Sequence, residues 1–228
     1  ALDVGQDVQR RYLDRFGLLN RPNLELPEVG SPIVPPNWGE ARTMTAAYGH
    51  GLSVSPVQFA SAFAAMVNGG VLMRATLLKK IAGERTVGVQ VISQRTSNQV
   101  RRLLRAVVEK GTGRRARAPG YLVGGKTGTA EKASKGGYHG RELISSFVAA
   151  FPMTAPKYVV YLFLDEPQGN AETHGNAGAG WTVAPAVGRV VGRIAPILGV
   201  QPVDDQAAPV RRAMLMPLYS RKRNSAVN

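Results

Sequence analysis

Tyr121-Leu122-Val123-Gly124-Gly125-Lys126-Thr127-Gly128-Thr129-Ala130 is the stretch that decides how this chain folds. An apolar run passes through two glycines into a cation, a hydroxyl, a glycine and a second hydroxyl. A second apolar run, Phe147-Val148-Ala149-Ala150-Phe151, follows shortly after. The pattern reads as a strand with polar groups at its exit. On such a strand Lys126 and Gly128 share one side, and Thr127 and Thr129 the other. Strand twist and the missing side chain at Gly128 bring the lysine and the hydroxyls around one groove, and leave room for a close backbone approach. An ammonium and two hydroxyls suit a carboxylate, and the strand's backbone can pair with an extended peptide. The plainer alternative is an ordinary strand with an exposed lysine, and four residues alone do not decide between them.

Working outward, the short connections around this stretch predict three antiparallel strands: Tyr121 to Ala130, Leu143 to Phe151 and Tyr158 to Leu164. A helix is expected before them, from Ser93 to Lys110, with Val100, Leu103, Leu104, Val107 and Val108 on one face and Gly111 as its stop. Another follows from Thr182 to Leu198, with Val183, Val187, Val190, Val191 and Ile194 inward. Further upstream, Ser55, Pro56 and Gln58 form a capping box with proline at the first helical position. Phe59, Ala62, Phe63, Met66 and Val67 then form a core stripe. Asp7 to Phe16 reads as a helix capped by Gly17. Pro22 to Pro36 reads as a turn-rich surface excursion, and Val71 to Ile81 and Val87 to Ile92 as extended. Helices precede an antiparallel sheet, and a last helix covers it, so the fold class is α+β. Residues 1–200 are assigned to one unit, and 201–228, with Asp204, Asp205 and Arg221-Lys222-Arg223, to a mobile basic tail.

The 228 residues suit one domain or most of one. No apolar stretch approaches the roughly 20 residues that span a bilayer. The first residue is Ala1, which leads us to expect a processed product or a fragment, with any membrane anchor upstream. The chain has no cysteine, so disulfides, thiol catalysis and cysteine metal sites are excluded. The net charge of +14 is densest at Arg101, Arg102, Arg105, Lys110, Arg114, Arg115 and Arg117. We read that cluster as a solvated helix face and loop. With little aromatic interleaving and no RNA-binding signature, nucleic acid is not expected as a partner.

Other chemistries lack their residues. His50, His139 and His174 show no metal-ligand spacing, and no HExxH occurs. Gly111-Thr112-Gly113 ends a helix and does not open one, so it fails as a phosphate loop. Asp165 and Glu166 are adjacent on an extended chain and should point to opposite faces, a poor acid/base couple. No metal and no cofactor is expected.

The chain resembles the C-terminal part of the transpeptidase domain of class B penicillin-binding proteins, of the division-specific type. Gly124 to Ala130 looks like that family's third motif, KTGT with its flanks. Ala47-Tyr48-Gly49-His50-Gly51-Leu52-Ser53-Val54-Ser55-Pro56-Val57-Gln58 is similar to the stretch after its second motif. Ser145-Ser146-Phe147-Val148-Ala149-Ala150-Phe151-Pro152 resembles the next strand. The resemblance covers Ala1 to about Gly199 and implies the penicillin-binding transpeptidase/serine β-lactamase-like fold, here incomplete.

It implies a peptidoglycan D,D-transpeptidase acting in septal cell-wall synthesis. A serine attacks the D-Ala-D-Ala bond of one stem peptide, and an amine from a second resolves the acyl-enzyme. β-Lactam antibiotics acylate the same serine. Lys126, Thr127, Gly128 and Thr129 would be the substrate-binding strand, the Thr129 N–H giving one arm of the oxyanion hole. Expected partners are stem peptides, β-lactams, a division-machinery glycosyltransferase and the upstream part of the same domain. The expected location is the periplasmic face of the bacterial inner membrane, anchored through an upstream segment.

One departure is large. No serine here is followed by lysine at the third position or by asparagine at the second, so SxxK and SxN are both missing. The nucleophile and its lysine are therefore expected upstream, and these residues alone should be inactive and should expose sheet edge and core surface. The alternatives are a serine β-lactamase or carboxypeptidase relative, or a non-catalytic peptide- or glycan-binding module.

Overall fold

The structure is a computed structural model; it describes residues 1–81, 87–134 and 137–214, with the side chains of 133, 134 and 137–141 left aside. The central strand is the key to its layering. β4 (Gly137–Phe151) pairs antiparallel with β3 (Gly124–Ser134) on one side and β5 (Tyr158–Asp165) on the other, giving the order β3-β4-β5. Alternate residues of a strand face opposite ways, so its apolar run serves two cores. Phe147, Ala149 and Phe151 pack with Val183, Val187 and Val191 of α5 (Ala179–Ile197). Val148 and Ala150 pack with Phe63 and Val67 of α3 (Pro56–Val67), Leu104 of α4 (Gln94–Lys110) and Met153. The three layers are helix, sheet and helices, as the α+β reading expects.

The ladder runs Lys126↔Val148, Thr127↔Phe147, Gly128↔Ser146 and Thr129↔Ser145. Two glycines fix how closely β3 enters it. A Cβ on Gly125 would lie 2.3 Å from the Val148 carbonyl oxygen and 2.5 Å from the Phe147 ring, and one on Gly124 would meet Met153 at 2.7 Å. Neither position accepts a side chain without moving backbone or core.

The capping box of α3 is present: the Ser55 hydroxyl accepts from the Gln58 N–H, and the Gln58 side chain accepts from the Ser55 N–H. Gln58 is also buried, and its amide donates to the carbonyls of Gly17 and Asn20, which joins α3 to the end of α1 (Gln6–Arg15). The extended runs are shorter than expected, since only β1 (Val71–Met73) and β2 (Gly88–Gln90) pair. α2 (Glu40–Ala47) and a 3-10 turn at Arg114–Ala116 were not anticipated. Leu103, assigned to the buried face of α4, is 49% exposed.

Two expectations need correcting. The arginine cluster is not wholly solvated. Arg105 is 2% exposed and donates to the Val123 carbonyl, to Glu109 and to Asp205. A buried guanidinium needs all of these to offset lost hydration. This explains the second correction. The segment after 201 does not hang free through its described part. Asp205 pairs with Arg105 at 3.0 Å, and α6 (Ala208–Met214) follows. Met214 is buried in the cluster with α3 and α4, and Arg102 donates to the Ala213 carbonyl. Residues 215–228, including Arg221-Lys222-Arg223, lie outside the described residues.

Between α1, α2 and α3 lies an apolar groove of about 420 Å³, lined by Tyr12, Leu13, Phe16, Phe59, Phe63 and Met66 among others. Among the described residues no strand pairs with the second edge of β5.

Because Arg105 links α4, the entry to β3 and the C-terminal segment, Arg105→Ala should destabilise the folded protein by about 3 kcal/mol. Asp205 is 32% exposed on its side chain, so Asp205→Ala should cost about 1 kcal/mol. Urea unfolding checks both, and an unchanged midpoint for Arg105→Ala would contradict this account.

Candidate substrate-binding strand and its pocket

β3 carries Lys126, Thr127, Gly128 and Thr129, and among the described residues it pairs with β4 on one edge only. The alternation expected from the sequence is realised. Thr127 and Thr129 line a pocket of about 370 Å³ together with Thr112, Arg114, Arg115 and the first turn of α5 at Gly178–Trp181. Lys126 is not among its lining residues. Its ammonium donates to the Thr127 carbonyl at 2.7 Å and to the Thr127 hydroxyl at 3.3 Å, so the cation sits beside the pocket and touches it through Thr127.

The two hydroxyls are already positioned. Thr127 Oγ1 lies 2.9 Å from Thr112 Oγ1. Thr129 Oγ1 accepts from the Ala179 N–H at 3.3 Å, one of the α5 donors that no helical carbonyl can satisfy. Gly178, at the N-cap position of α5, contributes no side-chain cap. The pocket thus gathers hydroxyl donors, a helix N-terminus and two guanidinium groups, and among the described residues no acidic side chain lines it. That combination favours an anion.

Gly128 has a second reason beyond the expected one. A Cβ there would lie 2.7 Å from Ser146 Oγ, which itself donates to the Gly128 carbonyl. Ser145 is fully buried and donates to the Ala177 carbonyl, which pins the loop before α5 against β4. Gly180 lets α5 approach closely, since a Cβ would sit 2.8 Å from the Thr112 carbonyl oxygen.

Several of these residues escaped the sequence reading. Thr112, in a stretch that fails as a phosphate loop, has its hydroxyl delivered to Thr127 by the turn after α4. Arg114, Arg115 and Trp181 had no signal short of knowing that the α4–β3 loop and the start of α5 meet. Tyr48, His50 and Gly51 share a hollow of about 240 Å³ with Arg42, Thr45 and Glu131 of β3. The stretch singled out after Ala47 therefore reaches β3, away from the threonine pocket. His174 packs on Trp181, and the His139 side chain lies outside the described ones.

The acidic pair behaves differently from expectation. Glu166 has a positive φ of 50°, so the chain turns and both carboxylates reach one ammonium. Lys132 Nζ lies 3.0 Å from Asp165 Oδ1 and 2.6 Å from Glu166 Oε1. The hydrogen bonds that Lys132 donates, to Glu166 first and then to Asp165, hold its pKa above the ordinary value. The trio ties the exit of β5 to β3 and leaves no free acid/base couple there. Among the described residues no group of three His, Asp or Glu side chains is placed to hold a metal ion.

Comparison with known proteins finds the same fold and one family. The penicillin binding protein transpeptidase domain matches over residues 1–186. The probable peptidoglycan D,D-transpeptidase FtsI of Caulobacter vibrioides is 40% identical over 207 residues, covering 87% of this chain and 35% of that protein. Stage V sporulation protein D of Bacillus subtilis is 36% identical over 215 residues, covering 89% and 32%. Among solved structures, the transpeptidase domain of Burkholderia pseudomallei penicillin-binding protein 3 superposes with a TM-score of 0.79 at 34% identity, covering 87% of this chain and 60% of that one. Mycobacterium tuberculosis penicillin-binding protein 3, solved with ampicillin, gives 0.78 at 28% identity, covering 91% and 49%. The chain spans 35% and 32% of the length of the two curated relatives. By its fold, its KTGT strand and these matches, the chain belongs to the penicillin-binding protein transpeptidase domain family.

Proposed function

We propose that the complete protein is a peptidoglycan D,D-transpeptidase of septal wall synthesis, and that this segment supplies its carboxylate-binding strand. The observation that carries the proposal is the convergence of the Thr127 and Thr129 hydroxyls on one pocket that, among the described residues, has no acidic lining, on a strand there paired along one edge only. An extended stem peptide would lie along β3, with its C-terminal carboxylate held by the two threonines and its scissile carbonyl near the Thr129 N–H. Lys126, bonded to Thr127, adds positive charge at the strand. A serine outside these residues attacks the carbonyl, D-alanine leaves, and the ester is resolved by the amine of a second stem peptide. A β-lactam would mimic the donor and its carboxylate. Relatives named as D,D-transpeptidases, and a neighbour solved with ampicillin, support this assignment.

The nucleophile belongs to the upstream part of the domain in this proposal, because no SxxK occurs in the 228 residues. The apolar groove on α1, α2 and α3 and the second edge of β5 are surfaces that such a part would cover. No helix among the described residues is long and apolar enough to cross a membrane. The proposed anchor at the periplasmic face of the inner membrane, and the division glycosyltransferase partner, therefore also concern segments beyond this one.

Labelled penicillin added to residues 1–228 alone should leave them unmodified. Stoichiometric covalent label would put the nucleophile inside this segment and overturn that assignment. In the complete protein, Thr127→Val and Thr129→Val should each slow penicillin acylation about tenfold or more, the weight of a hydrogen bond to a charged group. Wild-type rates would count against the carboxylate role. Gly180→Ala should slow acylation as well, by displacing the Thr112 carbonyl. Gly192→Ala on the same helix meets nothing within 4 Å and should leave the rate alone while adding about 0.5–1 kcal/mol of stability.

A further inference from the structure

The proposed mechanism leaves unused one exposed wall of the threonine pocket, at Arg115. Arg115 has its guanidinium carbon 3.4 Å from the centroid of the Trp181 ring. His174 meets the same indole edge-on, with ring centroids 5.3 Å apart and planes at 85°. Among the described residues the Arg115 side chain makes no hydrogen bond and no ion pair, and its contact is with the Trp181 ring. Its close contact with the indole face restrains the side chain. Its N–H donors therefore remain available. The same pocket holds Thr127 and Thr129, and no carboxylate lines it to neutralise the charge.

We propose that Arg115, positioned by Trp181, is a specificity-determining residue that pairs with the anionic group bound by Thr127 and Thr129. Two hydroxyls alone favour a carboxylate over a neutral ester or amide only modestly, because they donate to both, though more strongly to the charged oxygen. A guanidinium separates them, since its attraction requires the ligand's negative charge. The ligand class is an acyl donor with a free terminal carboxylate, whether a stem peptide or a β-lactam. Trp181 acts through Arg115: it offers the aromatic face that a stacked guanidinium needs and that a lysine ammonium would use less well. This inference rests on the carboxylate reading of the pocket.

The test is the ratio of second-order acylation rate constants of the complete protein for a penicillin and for its methyl ester. Arg115→Ala should lower the acid-to-ester ratio about fivefold, the size expected of a partly exposed ion pair. Raising the ionic strength should shrink the wild-type ratio, because this charge is screened. Trp181→Ala should reproduce most of the loss, Trp181→Phe should restore it, and Arg115→Lys should fall between. Thermal melting confirms that the variants are folded. A ratio unchanged by Arg115→Ala, or equal losses for acid and ester, would overturn the inference. Thr127→Val and Thr129→Val, measured alongside, separate the two levels. If they lower the ratio and Arg115→Ala does not, only the role of Arg115 falls. If none of the three lowers it, the carboxylate reading of the pocket falls too.

Discussion

The one-sided pairing of β3 with β4 is the constraint on which the site depends. From Gly124 to Glu131 the ladder fixes every residue of the tetrapeptide to one face or the other. A slip by one residue would turn Thr127 and Thr129 away from α5 and put Lys126 in their place. Register is strongly specified because β4 is buried on both faces, so no alternative pairing keeps Phe147 with α5 and Val148 with α3. Gly124 and Gly125 allow the close entry, and Ser146 occupies the space that a side chain at Gly128 would need.

Around that ladder, elements distant in sequence are tied to the same strand. The turn after α4 brings Thr112 to Thr127, the start of α5 lends its Ala179 N–H to Thr129, and Ser145 holds the loop before α5. On the opposite side Arg105 reaches from α4 to the Val123 carbonyl, at the threshold of β3, and draws Asp205 with it. Arg117 donates to the last carbonyls of α4, at Val108 and Glu109, closing that helix where a positive charge is favoured. Thr127 and Thr129 of the pocket are thus themselves hydrogen-bonded, which limits how far a ligand must reorganise them.

Much of this was legible in the residues. Apolar runs and short connections marked the three strands, the capping box located α3, and the KTGT stretch marked β3 as the candidate strand, because each signal is local. What escaped was non-local. Nothing in Arg105 distinguishes it from Arg101 or Arg102 until α4 packs on β3 and one helix position loses its water. Thr112 and Trp181 lie 69 residues apart in number, and only the folded sheet brings them to Thr127. Asp165 and Glu166 looked divergent because an extended backbone was assumed, and the left-handed turn at Glu166 removed that premise. α6 was hidden by its shortness; its apolar anchor is Met214, and its tether is an ion pair to a helix about a hundred residues earlier.

The most direct measurement is a crystal structure of the complete protein acylated by a carboxylate-bearing penicillin. The account places that carboxylate on β3, accepting hydrogen bonds of about 2.6–3.0 Å from the hydroxyls of Thr127 and Thr129. A carboxylate turned to solvent, or held by the helical side of the cleft with both threonines uninvolved, would contradict it.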